Sequence, residues 1–166
     1  MTAAKNKKKE EETLNPVIDN RKARYDYHLL ERFEAGIVLL GCEVKSIREG
    51  KMNLQDSYVR IWKDEAWIYN CHISLYSRRQ GHQEIDPLQN RKLLLNRSEL
   101  NKLKDWAERK KGASIIPTKA YFNKKGKLKV EIAMAEGKKQ YDKRETIKKR
   151  MQDREAKSAM KKGRGQ

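Results

Sequence analysis

Leu128-Lys129-Val130-Glu131-Ile132-Ala133-Met134 decides the fold of this chain. Leu128, Val130, Ile132 and Met134 take one side of a period-two pattern, and Lys127, Lys129 and Glu131 take the other. A strand separates these sets, because its successive side chains point to opposite faces. Ser114 to Phe122, just upstream, carries isoleucine, threonine and aromatic residues, and Asn123-Lys124-Lys125-Gly126 joins the two stretches as a turn. They read as a hairpin.

The same pattern continues outward. Tyr58 to Trp62 and Trp67 to Ile73 form another expected hairpin around Lys63-Asp64-Glu65-Ala66, with Trp67, Tyr69, Cys71 and Ile73 on one core-facing side. Tyr25, Tyr27, Leu29, Phe33, Ala35, Ile37 and Leu39 also alternate, with Glu31 the charged interruption. Leu29, Leu30, Phe33 and Ile37 would suit a helix, but Gly36 weakens that reading and a strand is preferred. A helical turn is expected near Arg21–Tyr25 and a brief helix over Cys42–Arg48, before Gly50. Arg91 to Leu95 reads as a short strand. Ser98 then caps a helix with Leu100, Leu103, Trp106 and Ala107 along one stripe and Gly112 past its end. Ser77 to Asn90, polar and broken by Gly81 and Pro87, reads as a long loop. Several short strands with one packed helix predict a mainly β domain over residues 14–136, a small closed antiparallel barrel of oligonucleotide-binding type.

Charge indicates the partner. The net charge is +17 and the pI about 9.9. Of this, +8 lies in Gly137–Gln166 and +1 in residues 1–13, leaving +8 on the domain. Solubility needs far less, so a polyanion is expected as ligand. No apolar run reaches eighteen residues, so no membrane span is expected. Residues 1–13 lack the apolar core of a secretory signal and are expected to form a flexible leader. Cys42 and Cys71 belong to no CxxC pair, which suits a reducing, cytoplasmic setting. His28, His72 and His82 show no metal-ligand spacing, so no metal site is expected.

The tail, residues 137–166, holds twelve Lys or Arg against four Asp or Glu, and only Tyr141, Ile147, Met151 and Met160 offer apolar area. So few apolar side chains cannot offset an ordering cost of about 1–2 kcal/mol per residue, and the isolated tail is expected to be disordered. Yet no Gly or Pro interrupts Lys138 to Lys162. Asp142 and Glu145 also stand at the spacing of a capping box, and Glu145–Lys149 and Asp153–Lys157 add helical i,i+4 pairs. Neutralisation by phosphates should therefore turn it helical from about Asp142 onward.

Six strings in order narrow the reading further. They are Asn20-Arg21-Lys22-Ala23-Arg24-Tyr25-Asp26-Tyr27, Phe33-Glu34-Ala35-Gly36, Gly41-Cys42-Glu43-Val44-Lys45-Ser46-Ile47-Arg48, Asp56-Ser57-Tyr58-Val59, Arg91-Lys92-Leu93-Leu94-Leu95-Asn96 and Gly137-Lys138-Lys139-Gln140-Tyr141-Asp142-Lys143-Arg144. Together they resemble the bacterial SsrA-binding proteins, also called small protein B, from about Ile18 to Arg150. The resemblance implies an oligonucleotide-binding-type barrel without covalent chemistry, acting in trans-translation; a monomer without a cofactor is expected. Its implied partners are the tRNA-like part of transfer-messenger RNA and stalled ribosomes, whose small-subunit decoding region and messenger channel would receive the tail. Glu34, Leu94 and Asn96 match positions the family uses for RNA. Gly137, Lys138, Lys139, Asp142, Lys143 and Arg144 match the tail segment needed in the ribosome. Two positions depart from the family pattern: Glu136 stands where Lys is common, and Gln152 near where some relatives carry Trp.

Elementary chemistry adds to that set. Arg21, Lys22, Arg24, Lys45, Arg91 and Lys92 are candidate phosphate partners, with Asn20 at the head of their first string. Glu34 cannot meet phosphate favourably, so it accepts from base amino groups or 2′-hydroxyls, orients a neighbouring cation, or serves as half of a structural salt bridge. Tyr141 offers a ring for stacking on a base, and Ile147 an apolar contact on the helical tail. Asp26, Glu31, Glu34 and Glu43 with His28 could serve a magnesium-dependent nuclease. No phosphate loop, nucleophile elbow or paired-histidine motif accompanies them, so no enzyme is expected. A permanent component of ribosomal RNA is the other competing class.

Overall fold

The computed structural model describes residues 16–76 and 85–162. The expected leader and most of the apex of the long loop lie outside the described residues. The elements in order are β1 (Ile18–Asp19), α1 (Arg21–Asp26), β2 (Tyr27–Ile37), α2 (Gly41–Arg48), β3 (Met52–Asn53), β4 (Tyr58–Trp62), β5 (Glu65–Tyr69), β6 (His72–Ile73), β7 (Arg91–Leu94), α3 (Arg97–Arg109), β8 (Ala113–Phe122), β9 (Leu128–Gly137) and α4 (Gln140–Lys162).

The strands close on themselves. Hydrogen bonding runs β8-β4-β5-β7-β2-β9 and returns from β9 to β8, with β1 added on β8, all antiparallel. β3 and β6 form a separate pair. This is the expected small closed ring. Its interior takes Leu128, Val130, Ile132 and Met134 from β9, as the alternation requires, with Ile115 and Ala120 from β8, Ile68 from β5 and Leu93 from β7. Ile47 of α2 and Leu103 of α3, both with no exposed surface, complete the same core.

Three local readings change in the folded chain. First, β2 is not one continuous face. Its register on β9 slips between Leu29, opposite Ala135, and Arg32, opposite Ala133. This bulge inserts one residue and reverses the phase. Phe33 and Ala35 therefore enter the barrel, while Tyr27 and Leu29 pack outside it with Ala23, Ile116 and Ala135 beneath α1.

Second, Trp67 and Tyr69 do not share a face with Cys71 and Ile73. Ala66 and Ile68 point inward, at 1% and 0% exposure, and Asn70 adopts φ +55°. That left-handed residue resets the alternation before the buried Cys71 and Ile73. The hairpin turn is also shorter than expected. Lys63 and Asp64 alone, at φ +47° and +57°, make it, as the twist of a two-residue hairpin demands.

Third, two helix starts move. Asn96, not Ser98, is the N-cap of α3, and the Glu99 carboxylate accepts from the Asn96 backbone N–H at 3.1 Å. α4 begins at Gln140, so Asp142 is the third helical residue rather than the cap. Its carboxylate reaches back to accept from the Lys139 N–H at 3.3 Å. The tail expected to be disordered in isolation is helical in this structure through Lys162.

Candidate nucleic-acid interface

The barrel's outer surface carries the expected site residues because strand alternation leaves Glu34, Lys92 and Leu94 outside while their neighbours enter the core. Leu94 stands opposite Gly36 on β2, Gly36 opposite Lys129 on β9, and Lys129 opposite Tyr121 on β8. These four form one transverse row. Gly36 is small for a reason: a Cβ there would lie 3.3 Å from the Leu94 Cβ. Leu94 lies across this gap with 52% of its surface exposed, bordering a groove of about 430 Å3 lined also by Ile37, Leu39, Val44 and Lys129.

Glu34 sits beside that row. The Tyr121 hydroxyl donates to one carboxylate oxygen and the Lys129 ammonium lies 3.4 Å from the other. The tyrosine hydrogen bond, then Lys129, holds the Glu34 carboxyl below its ordinary pKa. The same bond pushes the Tyr121 phenol up to about 12. The carboxylate is thus ionised and oriented, with lone pairs left to accept from base amino groups or 2′-hydroxyls. Tyr121 and Lys129 are functional candidates the sequence reading missed. Their outward phase in the hairpin was legible, but their convergence on Glu34 is a contact between residues 87 positions apart for the tyrosine. Asn96 extends the same edge, exposed at the head of α3 two residues beyond Leu94.

Two expected RNA contacts are corrected. Arg91 points into the body, 3% exposed, because β7 alternates inward at Arg91 and Leu93. It pairs with buried Glu43 of α2 at 2.7 Å and donates to the Cys71, Gln89 and Pro87 carbonyls. Glu43 in turn accepts from Gln89 Nε2 and the Leu40 N–H. With every partner satisfied Arg91 is a structural tie, and removing either charge alone should cost about 3–5 kcal/mol. Asn20, 2% exposed, accepts from the Ala23 N–H and donates to the Leu54 and Pro117 carbonyls. It caps α1 and fastens it to the barrel, so neither side chain reaches a ligand.

The remaining cations form a second group around α1 and the foot of α4. Arg21, Lys22 and Arg24 are exposed, Lys22 at 2.5 Å from Asp56 and Arg24 at 3.5 Å from Asp19. Gly137 ends β9 opposite Tyr27, and the Lys138 N–H donates to the Asp26 carbonyl at 2.8 Å. Lys143 pairs with the Asp26 carboxylate at 2.9 Å, and Asp142 lies 3.3 Å from His28 Nε2. Lys139 and Arg144 are exposed. Tyr141 is 69% exposed, and the nearby Glu145 carboxylate raises its phenol pKa. Ile147 is 38% exposed, and the Arg150 guanidinium lies 5.9 Å from the Tyr25 ring, although every residue from Lys148 to Met160 is exposed. Lys45 stands apart on α2, its ammonium 5.8 Å from the Tyr76 ring. Lys92 is half-exposed and paired with Glu65.

A family profile described as SmpB protein matches residues 17–162, from the first strand through the tail helix. The chain belongs to the SmpB family. Curated SmpB relatives bear the name SsrA-binding protein. That of Trichodesmium erythraeum is 47% identical over 93% of this chain and 97% of its own length. That of Syntrophomonas wolfei is 52% identical over 81% and 83%. A solved SmpB-containing structure, described as "tmRNA-SmpB: a journey to the center of the bacterial ribosome", includes a chain with TM-score 0.63 and 41% identity. The match covers 80% of this chain and 94% of that one. Glu136, which replaces the Lys common in the SmpB pattern, ion-pairs with Lys110 at the end of α3. It is thereby tied to the barrel. Among the described residues no helix is long and apolar enough to cross a membrane, and no cluster of potential metal ligands occurs.

Proposed function

We propose that this protein binds the tRNA-like part of transfer-messenger RNA with its barrel and delivers it to stalled ribosomes for trans-translation in the cytoplasm. The observation that carries the reading is the unbroken family match over residues 17–162, which includes both the barrel and α4. The oriented Glu34 carboxylate beside exposed Leu94 supports RNA contact through base edges and packing, in addition to phosphate neutralisation. The protein acts as an adaptor without chemistry of its own. The tail is disordered in the free protein and becomes helical in the empty messenger channel. Its outer half supports this: from Lys148 onward every side chain described is exposed, and beyond Arg150, which stands over the Tyr25 ring, no burial holds the helix there.

Sequencing the RNA that co-purifies with the full chain from its native host tests the proposal. The expected result is strong enrichment of one long tRNA-like species. Ribosomal RNA alone, at one protein per idle ribosome, would instead make this a permanent ribosomal component.

A further inference from the structure

The transverse row that contains Leu94 does not stop at β7. Ala66 stands opposite Leu93 and Trp67 opposite Lys92, so the antiparallel register brings Glu65 opposite Leu94. Glu65 stands opposite Trp62. All these side chains alternate outward, because Ala66, Leu93 and Val59 are the inward residues of their strands. One belt therefore runs Tyr121, Lys129, Gly36, Leu94, Glu65, Trp62 across six neighbouring strands, counting β8 through β4 by way of β9, β2, β7 and β5.

Trp62 ends that belt in an unusual state for its type. It is 58% exposed, and the Lys63 ammonium lies 4.4 Å from its ring centroid. The turn that presents it is fixed from the side: Asp64 accepts from Arg97 at 3.2 Å and from Lys104 at 2.9 Å, both on α3. Two hydrogen bonds from those cations keep the Asp64 carboxyl below its ordinary pKa, so the brace persists throughout the neutral range. Between this tip and the β7–α3 junction lies a groove of about 250 Å3 lined by Glu65, Lys92, Leu94 and Arg97. Two inter-strand spacings put Trp62 roughly 10 Å from Leu94. That is the reach of a short run of nucleotides.

We propose that the β4–β5 hairpin tip is a second wall of the RNA site, where Trp62 stacks on an unpaired base of the same tRNA-like RNA that covers Leu94 and Asn96. The proposal rests on the function inferred above. An exposed indole beside a cation suits this occupant: the ring takes the π-face of a base and Lys63 meets the adjoining phosphate. Lys92 and Arg97, paired with Glu65 and Asp64, line the groove between the two contacts. Glu65, paired with Lys92, separates the two apolar contacts and can accept from a sugar hydroxyl.

The test uses the full chain, the tRNA-like RNA and an unrelated tRNA at one fixed salt concentration. Trp62→Ala should bind the tRNA-like RNA at least tenfold more weakly, with an unchanged melting temperature because the side chain is mostly in solvent. Trp62→Phe, which keeps a ring, should recover most of the loss. Wild-type affinity in Trp62→Ala would overturn the proposal while leaving the function intact. Normal RNA affinity with lost retention on stalled ribosomes would mean that Trp62 meets ribosomal RNA, and would overturn it too. Failure of the unaltered chain to prefer the tRNA-like RNA over the unrelated tRNA would remove both the function and the proposed site.

Discussion

Glu34 shows at the scale of one residue how a carboxylate would serve the proposed RNA surface. Two donors, Tyr121 and Lys129, fix its orientation and favour its charged form. Glu34→Gln adds a positive unit to the protein's net charge, so phosphate attraction alone predicts tighter binding. We expect about tenfold weaker binding of the tRNA-like RNA, near 1.4 kcal/mol, because the amide loses a charged acceptor. Tyr121→Phe, which leaves net charge unchanged but frees the carboxylate, should lose part of the same affinity. Binding isotherms of both variants at equal salt decide the matter, and tighter binding by Glu34→Gln would remove Glu34 from the site. The sign of the pH effect follows from the same contacts. A carboxyl whose folded pKa is lowered contributes stability above its unfolded value of about 4.3. That contribution fades as pH falls through the lowered value, so Glu34 stays charged across the range in which RNA binding is measured.

At the scale of elements, α4 divides at Ile147. Its foot is tied to α1 through Lys143–Asp26 and the Lys138 N–H and to β2 through Asp142–His28, and the ammonium of Lys143 lies 5.7 Å from the Tyr25 ring. Beyond Ile147 the helix carries charge of mostly one sign, and its packing is reduced to the Arg150 guanidinium over the Tyr25 ring at 5.9 Å. Replacing Ile147 with Pro removes a backbone donor and clashes with the preceding turn, a cost of about 3 kcal/mol to a helix but little to a cationic coil. The variant should bind the tRNA-like RNA normally and fail to support tagging of stalled peptides. Tagging at the normal rate would show that the tail acts only as a tether. β2 makes the complementary point: its bulge lets one strand serve two packing layers, Phe33 inside the barrel and Leu29 under α1.

For the whole molecule, the proposed function gives RNA recognition to the barrel and the ribosomal role to the tail. Glu34, Leu94, Tyr121 and Lys129 all lie on the barrel, so removing the tail should leave RNA affinity within about tenfold, no more than 1.4 kcal/mol. The cut belongs after Lys138 rather than before Gly137. Gly137 ends β9 opposite Tyr27 and the Lys138 N–H closes on Asp26, so an earlier cut would remove the last residue of that strand and its bond to α1. A loss of several orders of magnitude in affinity for the shortened chain would make the tail the main anchor.

The sequence by itself determined the local alternatives. Period two in Leu128–Met134 made a strand whose inward and outward sets are those of the folded barrel. The stripe Leu100, Leu103 and Trp106 made a helix with its core side correct, although Ala107 stays exposed. The six ordered strings disclosed the family because each is contiguous. What the tertiary structure alone decided are facts about phase and closure. A bulge at Leu29–Arg32 and left-handed backbone at Asn70 each shift alternation by one step, and one step exchanges the faces of everything after it. Arg91 looks like a phosphate ligand in the sequence and is a buried tie in the fold, since its partner Glu43 is 48 residues away. The belt from Tyr121 to Trp62 is likewise invisible along the chain. It exists because ring closure sets six strands in register, and register is fixed by pairing between distant segments rather than by any one of them.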